Sequence, residues 1–202
     1  MKIIIATNNP DKLREIKNIW KNFAEITDID WLGNYSELGD IEETGSTLRA
    51  NAAIKAEYVS GILDCPAVAD DTGLFVDCLN GSPGVYSSRF AGENATYDDN
   101  VEKLLKSMEN VPEDDRRAEF RCTVCLAEKG KKSIFTEGIV KGSITLERKG
   151  SMGFGYDPVF KTAGTGKTFA QMTLEEKNAI SHRYLAFKKM GEIISRGVAQ
   201  LG

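Results

Sequence analysis

The 202-residue sequence contains few cysteines and prolines, a single histidine and no excess of positive charge. Its 26 Lys and Arg residues are outnumbered by 30 Asp and Glu residues, which gives a formal net charge of -4. A chain this acidic lacks the basic face that binding to long nucleic acid requires, so we expect no nucleic-acid partner. No apolar run approaches the length of a membrane span, and a strand is predicted from Lys2 with no signal peptide before it. We therefore expect a cytoplasmic protein without a membrane partner.

The small number of cysteines also argues against a zinc or redox site. Cys122 and Cys125 have the C-x-x-C spacing of such sites, but they lie in a predicted strand, where residues three apart face opposite sides. No second close pair accompanies them, and the single histidine is His182. We expect buried, reduced thiols.

The length and the hydrophobic content of 41% are those of an ordinary globular protein, and we expect one domain over residues 1–202. A strand over Lys2–Ala6 is followed by a helix with Asn9 as its N-cap and Pro10 as its first residue. Such a connection is a natural anion site, because backbone N–H groups are free there. Lys12 lies on the unfavourable side of the helix dipole, which is explained if an anion lies close to it; an ordinary solvated connection is the alternative.

Patterning along the chain predicts the remaining elements. They are a strand over 25–31, a helix over 48–60 capped by Thr47, an extended segment over 85–90, a helix over 97–107, a hairpin of strands near 117–128 and 132–140, a helix after the capping box that begins at Thr173, and a last helix from Ser181 to about Gly197.

The stretch Ala67–Leu74 places two adjacent acids, Asp70 and Asp71, after an apolar run. It predicts a buried strand, a sharp bend and a second strand. Burying carboxylates is costly without a cation or hydrogen-bond donors, so two acids at this place indicate a divalent metal or proton transfer. A solvated acidic turn is the alternative.

The glycine-rich stretch Gly150–Phe160 holds Phe154 between two glycines, where the ring is either a stacking platform for a base or part of the core. The later stretch Ala163–Thr168 looks like a phosphate-binding P-loop, but Lys161 stands where that pattern needs its first glycine. We predict an ordinary loop there.

Five motifs occur in an order that resembles the inosine triphosphate pyrophosphatase family, also called the Ham1-like family. They are Thr7-Asn8-Asn9 with Lys12 and Glu15, Glu43-Thr44-Gly45, Ala69-Asp70-Asp71-Thr72-Gly73-Leu74, Gly153-Phe154-Gly155-Tyr156-Asp157-Pro158-Val159-Phe160 and Ser181-His182-Arg183. The resemblance runs over nearly the whole chain.

The resemblance implies an α/β fold, elongated and two-lobed, with a long mixed central sheet flanked by helices and an active site in the cleft between the lobes. It implies Mg²⁺-dependent hydrolysis of ITP, dITP and XTP to the monophosphate and pyrophosphate by a homodimer. Nucleoside triphosphates are then the small-molecule partners.

The resemblance also assigns roles by matching position. Metal binding falls to Glu43 and Asp71, with Asp71 also the catalytic base, although the residues alone leave Asp70 open for that role. Substrate binding falls to Thr7, Asn8, Asn9, Pro10, Asp11, Lys12, Lys55, Thr72, Phe154, Gly155, Tyr156, Asp157, Lys177, His182 and Arg183. Among these, the loop and the lysines would hold the phosphates, Thr72 would touch substrate, and the residues from Phe154 to Asp157 with His182 and Arg183 would form the purine pocket.

One position departs from the family pattern in a way that bears on the site. Ala50 stands where members commonly carry Glu, which puts in doubt any part that a carboxylate there takes in metal binding or in orienting Lys55. Two rival functions remain: a Maf-like pyrophosphatase for modified pyrimidine nucleotides, and a nucleotide-binding protein without catalysis.

Overall fold

The structure, a computed structural model, describes residues 1–199. Within these residues the strands are β1 (Lys2–Ile5), β2 (Asp28–Trp31), β3 (Ala67–Val76), β4 (Pro83–Gly84), β5 (Arg117–Ala127), β6 (Ile134–Ile144) and β7 (Phe160–Thr162). The α-helices are α1 (Pro10–Trp20), α2 (Leu48–Leu63), α3 (Tyr97–Ser107), α4 (Leu174–Ile180) and α5 (His182–Ala199). No α-helix of this part of the chain is both long enough and apolar enough to cross a membrane.

The strands form one mixed sheet in the order β2-β1-β3-β5-β6-β7, and β4 pairs with β3. Parallel pairs join β1 to β2 and β3, whereas β3 with β4 and β6 with β7 are antiparallel. The predicted α/β fold with a mixed central sheet flanked by helices is confirmed.

The chain divides into two compact units. Unit 1 comprises Met1–Asp71, Cys122–Gly138 and the described chain from His182 onward, and unit 2 comprises Thr72–Arg121 and Ile139–Ser181. The chain passes from one unit to the other within the long strands β3, β5 and β6.

In unit 1, helices cover both faces of the sheet. Alternate residues of β1 and of the position after it belong to two different hydrophobic clusters, Ile3 and Ile5 to one, Ile4 and Ala6 to the other. The first cluster contains the apolar faces of α1 and α5, and the second contains the alanine-rich face of α2. Because successive strand residues point to opposite faces, this division means that α1 and α5 lie on one side and α2 on the other. The edge-to-face pair of Trp20 and Phe187, with ring centroids 5.2 Å apart, joins α1 to α5.

Unit 2 has its own core, in which α3 packs against the halves of β3, β5 and β6 that belong to this unit. Its centre is aromatic: Phe160 lies 4.7 Å from Phe120 and 5.4 Å from Phe169, measured between ring centroids. Such pairs add packing energy beyond the apolar area they bury.

Helix boundaries follow their capping signals. The Asn9 side chain accepts hydrogen bonds from the backbone N–H groups of Asp11 and Lys12, and Pro10 is the first helical residue, as predicted. The caps at Thr47 and Thr173 are confirmed, and α3 has the predicted bounds. The cysteine prediction is also confirmed, since Cys122 and Cys125 are buried, free and members of different clusters.

Two local predictions were wrong. Residues 67–76 form one continuous strand, so Asp70 and Asp71 lie inside β3 and there is no sharp bend. Acids can lie within a buried strand when they are paired, and here cations pair with Asp70 and a side-chain amide donates to Asp71. Residues 85–90 are not extended but contain a short 3₁₀ turn, Ser87–Arg89, held by the Ser87 hydroxyl, which donates to Gly84 O at 2.6 Å.

Candidate active site

The loop between β1 and α1 is ordered by its own polar side chains. Thr7 Oγ1 accepts a hydrogen bond from Asn9 N at 3.2 Å, and Asn9 Oδ1 accepts from Asp11 N at 2.9 Å and from Lys12 N at 3.2 Å. The N-cap therefore takes two of the N–H groups that were predicted to be free for an anion. The positive charge that could attract an anion to this helix end is therefore the ammonium group of Lys12, not these two capped N–H groups.

Lys12 is placed by Asp70 on β3. Its Nζ lies 3.2 Å from Asp70 Oδ2 and 3.5 Å from Asp70 O. Burial lowers the pKa of Lys12, but the charges of Asp70, Asp71 and Glu43 together outweigh burial, and the pKa lies above its usual value. The anion that explains a lysine in the first turn of α1 is thus a carboxylate of the protein itself.

Asp70 is held by a second cation, Arg183, at the start of α5. Arg183 Nη2 donates to Asp70 Oδ2 at 3.1 Å, and Arg183 Nη1 donates to Glu15 Oε2 at 2.6 Å. The side chains of all three residues are at most 2% exposed. Burial raises the pKa of Asp70, yet the charges of Lys12 and Arg183 together hold it well below its usual range. Asp70 is therefore the shared counter-ion of Lys12 and Arg183.

Asp71, the next residue of β3, has different surroundings. Asn51 of α2 donates from its side-chain amide to Asp71 Oδ2 at 3.0 Å, and Asn51 Oδ1 accepts from Gly45 N at 2.8 Å. Burial raises the pKa of Asp71, and the nearby Glu43 charge adds to the increase, against the opposing charge of Lys55. Asn51 thus fixes Asp71 beside the segment that carries Glu43.

Lys55 links Glu43 to the acidic strand. Its Nζ forms an ion pair with Glu43 Oε1 and donates to the main-chain oxygen of Asp70 at 2.8 Å. The Lys55 side chain is 10% exposed and that of Glu43 is 23% exposed, so this pair lies at the margin of the buried cluster. Unit 1 therefore brings together two carboxylates, Glu43 and Asp71, and two lysines, Lys12 and Lys55.

Unit 2 holds the aromatic half of the predicted site. Asp157 Oδ2 accepts from Phe154 N at 2.9 Å and from Lys177 Nζ at 2.5 Å. Lys177 Nζ lies 4.8 Å from the centroid of the Phe154 ring, a cation–π distance. Gly153 has φ +76°, and a Cβ at this position would lie 2.0 Å from Asp157 Oδ2, so the loop closes on Asp157 only with glycine here.

The remaining predicted residues differ in their burial and in their partners. Asn8 donates to Asp40 Oδ1 at 2.7 Å, and Asp11 pairs with Arg14 at 2.9 Å. The buried Tyr156 donates from its hydroxyl to Ser87 O at 2.9 Å, and burial raises its pKa. His182 is buried as the first residue of α5, where its main-chain oxygen lies 2.1 Å from the position of a Cβ built on Gly138.

The residues predicted from sequence therefore form two groups. Thr7 to Lys12, Glu43, Lys55, Asp71, His182 and Arg183 belong to unit 1, and Thr72, Phe154, Gly155, Tyr156, Asp157 and Lys177 belong to unit 2. The prediction of one cleft shared by two lobes stays a prediction, as does a joint role for Lys55 and Lys177 at the phosphates.

Sequence reasoning gave no role to two residues that organise the site, Asn51 and Glu15, and it left Asp70 only as an alternative catalytic base. Asn51 orients Asp71, Glu15 holds Arg183, and Asp70 pairs with Lys12 and Arg183. Glu15 had a signal: it lies one helical turn after Lys12, and a buried acid on a helix requires a cation. No sequence signal indicated that the cation would be Arg183.

A metal site built from protein ligands alone is not present in residues 1–199, where no three His, Cys, Asp or Glu side chains come together suitably. Glu43 and Asp71 supply two carboxylates at most. This set suits a hard cation that keeps several waters and takes further oxygens from a bound phosphate.

Comparison with known proteins identifies the family of the chain. The family model described as the Ham1 family matches residues 3–193. A dITP/XTP pyrophosphatase of Thermoanaerobacter sp. (strain X514) is 51% identical over 195 residues, covering 96% of each chain. The solved structure of the Staphylococcus aureus Ham1 protein matches with a TM-score of 0.86 and 38% identity, covering 98% of this chain and 100% of that one. A HAM1 protein from Coxiella burnetii matches with a TM-score of 0.87 and 38% identity over 97% of this chain and 99% of that one. The chain belongs to the Ham1 family.

Proposed function

We propose that this protein is a nucleoside triphosphate pyrophosphohydrolase that acts on the non-standard purine nucleotides dITP, XTP and ITP. The observation that carries the proposal is a cluster of charged side chains around Asp71 of β3. It contains a second carboxylate, Glu43, and two lysines, Lys12 and Lys55. The substrate class comes from the relatives, since the proteins of 51% and 50% identity are both named dITP/XTP pyrophosphatase. The products would be the nucleoside monophosphate and pyrophosphate.

Phosphate binding would rest on unit 1. Lys12 and Lys55 both reach the main-chain oxygen of Asp70, at 3.5 Å and 2.8 Å, so two ammonium groups converge on one point of β3. Phosphoryl chemistry asks a protein mainly for positioning and for stabilisation of charge, which fixed ammonium groups supply. The loop Thr7–Lys12 would contribute its polar side chains and the adjacent backbone.

We infer Mg²⁺ as the cofactor, held by Glu43 and Asp71. The two carboxylates are close enough for the charge of one to raise the pKa of the other, and a cation would relieve that repulsion. When bound, Mg²⁺ would neutralise charge on the phosphate oxygens and help to align them for attack.

Asp71 is the better candidate for the general base. Asp70 Oδ2 is occupied by Lys12 and Arg183, and its side chain has no exposed surface, so it is a poor proton acceptor. Asp71 is oriented by the Asn51 amide, and burial raises its pKa, so it accepts a proton more readily than Asp70. Asp71 would accept a proton from water as the water oxygen bonds to the α-phosphorus. The bond from that phosphorus to the bridging oxygen would break, and pyrophosphate would leave.

Base recognition would rest on the Phe154–Asp157 segment and on His182 and Arg183, with Thr72 touching the substrate and Lys177 fixed by Asp157. Hypoxanthine and xanthine carry a 6-oxo group where adenine carries an amino group. A donor facing that oxygen would face the amino group of adenine without a partner, at a cost of about 1–3 kcal/mol. A hundredfold preference needs about 2.7 kcal/mol, so one or two donors suffice against ATP.

We also propose a homodimer, which the family resemblance implies, and a cytoplasmic protein that binds neither nucleic acid nor membranes, which composition and charge indicate. Sedimentation equilibrium tests the assembly directly, because a monomer of 22.2 kDa and a dimer differ twofold in mass.

The deciding experiment measures pyrophosphate release from ITP, XTP, dITP, GTP, ATP and dUTP with and without Mg²⁺. We expect turnover of the first three to exceed that of ATP and GTP by at least about a hundredfold, and to depend on the cation. Equal turnover of all purines would contradict the substrate assignment. Preference for the pyrimidine nucleotide would favour a Maf-like activity, and binding without turnover would favour a non-catalytic role.

A further inference from the structure

Tyr97, a residue outside the family motifs, contacts the aromatic ring of the predicted base-binding loop. It is the first residue of α3, and its ring centroid lies 5.7 Å from that of Phe154, with the ring planes tilted by 42°. Tyr97 is 44% exposed although it makes this contact. An aromatic ring that is half exposed beside another ring offers π-surface to a further flat molecule.

The start of α3 holds Tyr97 in place through two independent sets of contacts. Thr96 and Asp99 form a capping box, in which Thr96 N donates to Asp99 Oδ2 at 2.8 Å and Asp99 N donates to Thr96 Oγ1 at 3.1 Å. Arg148, which precedes the glycine loop, pairs with the Asp98 carboxylate and donates to Asp98 O at 3.1 Å. Tyr97 therefore lies on a capped helix end that is joined to the segment before Phe154.

The loop that carries Phe154 is also held by specific contacts. Lys177 lies over the Phe154 ring, and Asp157 binds both Lys177 and the Phe154 amide, as described above. Phe154 is thus fixed in the loop, and the Tyr97 ring lies next to it with almost half of its surface in solvent. Two adjacent rings on fixed backbone form a larger stacking surface than Phe154 alone, and stacking on aromatic rings tolerates any base because every base has a π-face.

We propose that Tyr97 is a further substrate-binding residue, whose ring, together with that of Phe154, contacts the purine base of the bound nucleotide. This inference rests on the proposed function, and it adds a residue that the family motifs do not include. Tyr97 would contribute affinity for the base and would not choose between 6-oxo and 6-amino purines, since stacking does not read the base edge.

The test compares Tyr97→Ala with Tyr97→Phe, using Tyr58→Ala as the matched control. Tyr58 is also a helical tyrosine, 43% exposed, but it lies on α2 in unit 1. We expect Tyr97→Ala to raise KM for dITP about five- to a hundredfold, the range for loss of a stacking ring, with kcat within about twofold. Tyr97→Phe and Tyr58→Ala should both stay near the wild-type KM. An unchanged KM in Tyr97→Ala would overturn the proposal, and a fall in kcat alone would also do so.

A binding experiment separates this inference from the proposed function. In Tyr97→Trp the new indole should change its emission when dIMP is added, whereas pyrophosphate alone should have no effect. Wild-type protein, with Trp20 and Trp31, gives the background. Turnover of dITP by the wild type without any dIMP-dependent change in Tyr97→Trp would refute the role of Tyr97 and leave the activity intact. A change on dIMP binding without turnover would retain Tyr97 and refute the hydrolase.

Discussion

Two buried arginines, one in each unit, satisfy their guanidinium groups in opposite ways. Arg183 of unit 1 is 2% exposed and donates to two carboxylates, Glu15 and Asp70. Arg116 of unit 2 is 1% exposed and donates to four backbone oxygens at 2.6–3.2 Å: Met108 O, Val111 O, Ile144 O and Thr145 O. The pKa of Arg183 is raised, since the two carboxylates outweigh burial, whereas burial lowers that of Arg116.

Arg183 holds charged residues of the candidate site in place, whereas Arg116 holds backbone segments of the surrounding fold together. Arg116 joins the end of α3 to the end of β6 through hydrogen bonds to backbone oxygens. Arg183 lies in a network that continues through Asp70 to Lys12, beside Asp71. Burying several charges together is seldom the most stable solution, so the network of unit 1 is better explained by chemistry than by stability.

Asp71 gives the sharpest test, because its neighbour Asp70 belongs to the network and Asp71 is the proposed base. We expect Asp71→Asn to lower kcat about a thousandfold or more and to change the free energy of unfolding by less than about 1 kcal/mol. Asn has nearly the same size as Asp. Because the pKa of Asp71 is raised in the fold, its ionised form does not stabilise the folded protein, and little stability is lost with the charge. Pyrophosphate release and urea denaturation provide the two measurements.

Asp70→Asn is the matched control for Asp71→Asn. It should destabilise the protein by about 3–5 kcal/mol, because Lys12 and Arg183 each lose a buried counter-ion. If Asp70→Asn folds normally while Asp71→Asn unfolds, the roles assigned to the two neighbouring acids are reversed.

Removing the charge of Arg183 should damage stability and activity together. Arg183→Met leaves Glu15 buried without its cation and takes one of two cations from Asp70, and we expect a loss of about 3–5 kcal/mol in the free energy of unfolding. For a domain of this length that corresponds to a fall in Tm of about 6–20 °C. The kcat/KM for dITP should also fall, measured at a temperature where the variant is folded. A stable but inactive Arg183→Met would mean that Arg183 acts on the substrate alone.

Removing the charge of Arg116 should affect stability only. Arg116→Met leaves four main-chain oxygens without this donor, and each unsatisfied buried group costs about 1–3 kcal/mol before relaxation. We expect a net loss of about 3 kcal/mol by denaturation, given partial relaxation, with kcat/KM of the folded protein within about twofold. Arg116→Lys should recover only part of this, because one ammonium cannot reproduce the planar fork. A selective loss of turnover in a fully folded Arg116→Met would abolish the distinction between the two arginines.

The parts of the structure with local causes were predictable from the sequence. Asn9 followed by Pro10, and Thr173 followed three residues later by Glu176, fix their helix starts through contacts within one turn. The division of Cys122 and Cys125 between two faces follows from the period of a strand alone. Membership of the Ham1 family could be predicted from the five motifs taken together, and the site residues that they assign stay a prediction.

The parts that depend on distant partners were not predictable. Asp70-Asp71 has the composition of a turn, and it is a strand because Lys12, 58 residues away, and Arg183, 113 residues away, meet Asp70 there. Ser87 is held in a 3₁₀ turn by contacts that include Leu74 N, 2.9 Å from its hydroxyl, although the local pattern indicates extended chain. A role for Tyr97 could not be predicted either, because it depends on the contact with the Phe154 ring, which is distant in sequence.

Ser60 provides the smallest test of the same comparison, since it is a buried polar group that neither network uses. It is 1% exposed on α2, and its Oγ has no hydrogen-bond partner within the described part of the chain. If buried polarity is kept in unit 1 for chemistry, a polar group away from the site should be dispensable. We expect Ser60→Ala to raise the free energy of unfolding by about 0.5–2 kcal/mol, because it removes an unsatisfied hydroxyl and improves helix propensity. Turnover of dITP should stay at the wild-type rate. Val59→Ala is the control for stability, because it only removes apolar volume from the same helix and should lower the free energy of unfolding. Destabilisation by Ser60→Ala would show that this hydroxyl has a partner, such as an internal water, and that unit 1 retains buried polar groups for stability as well.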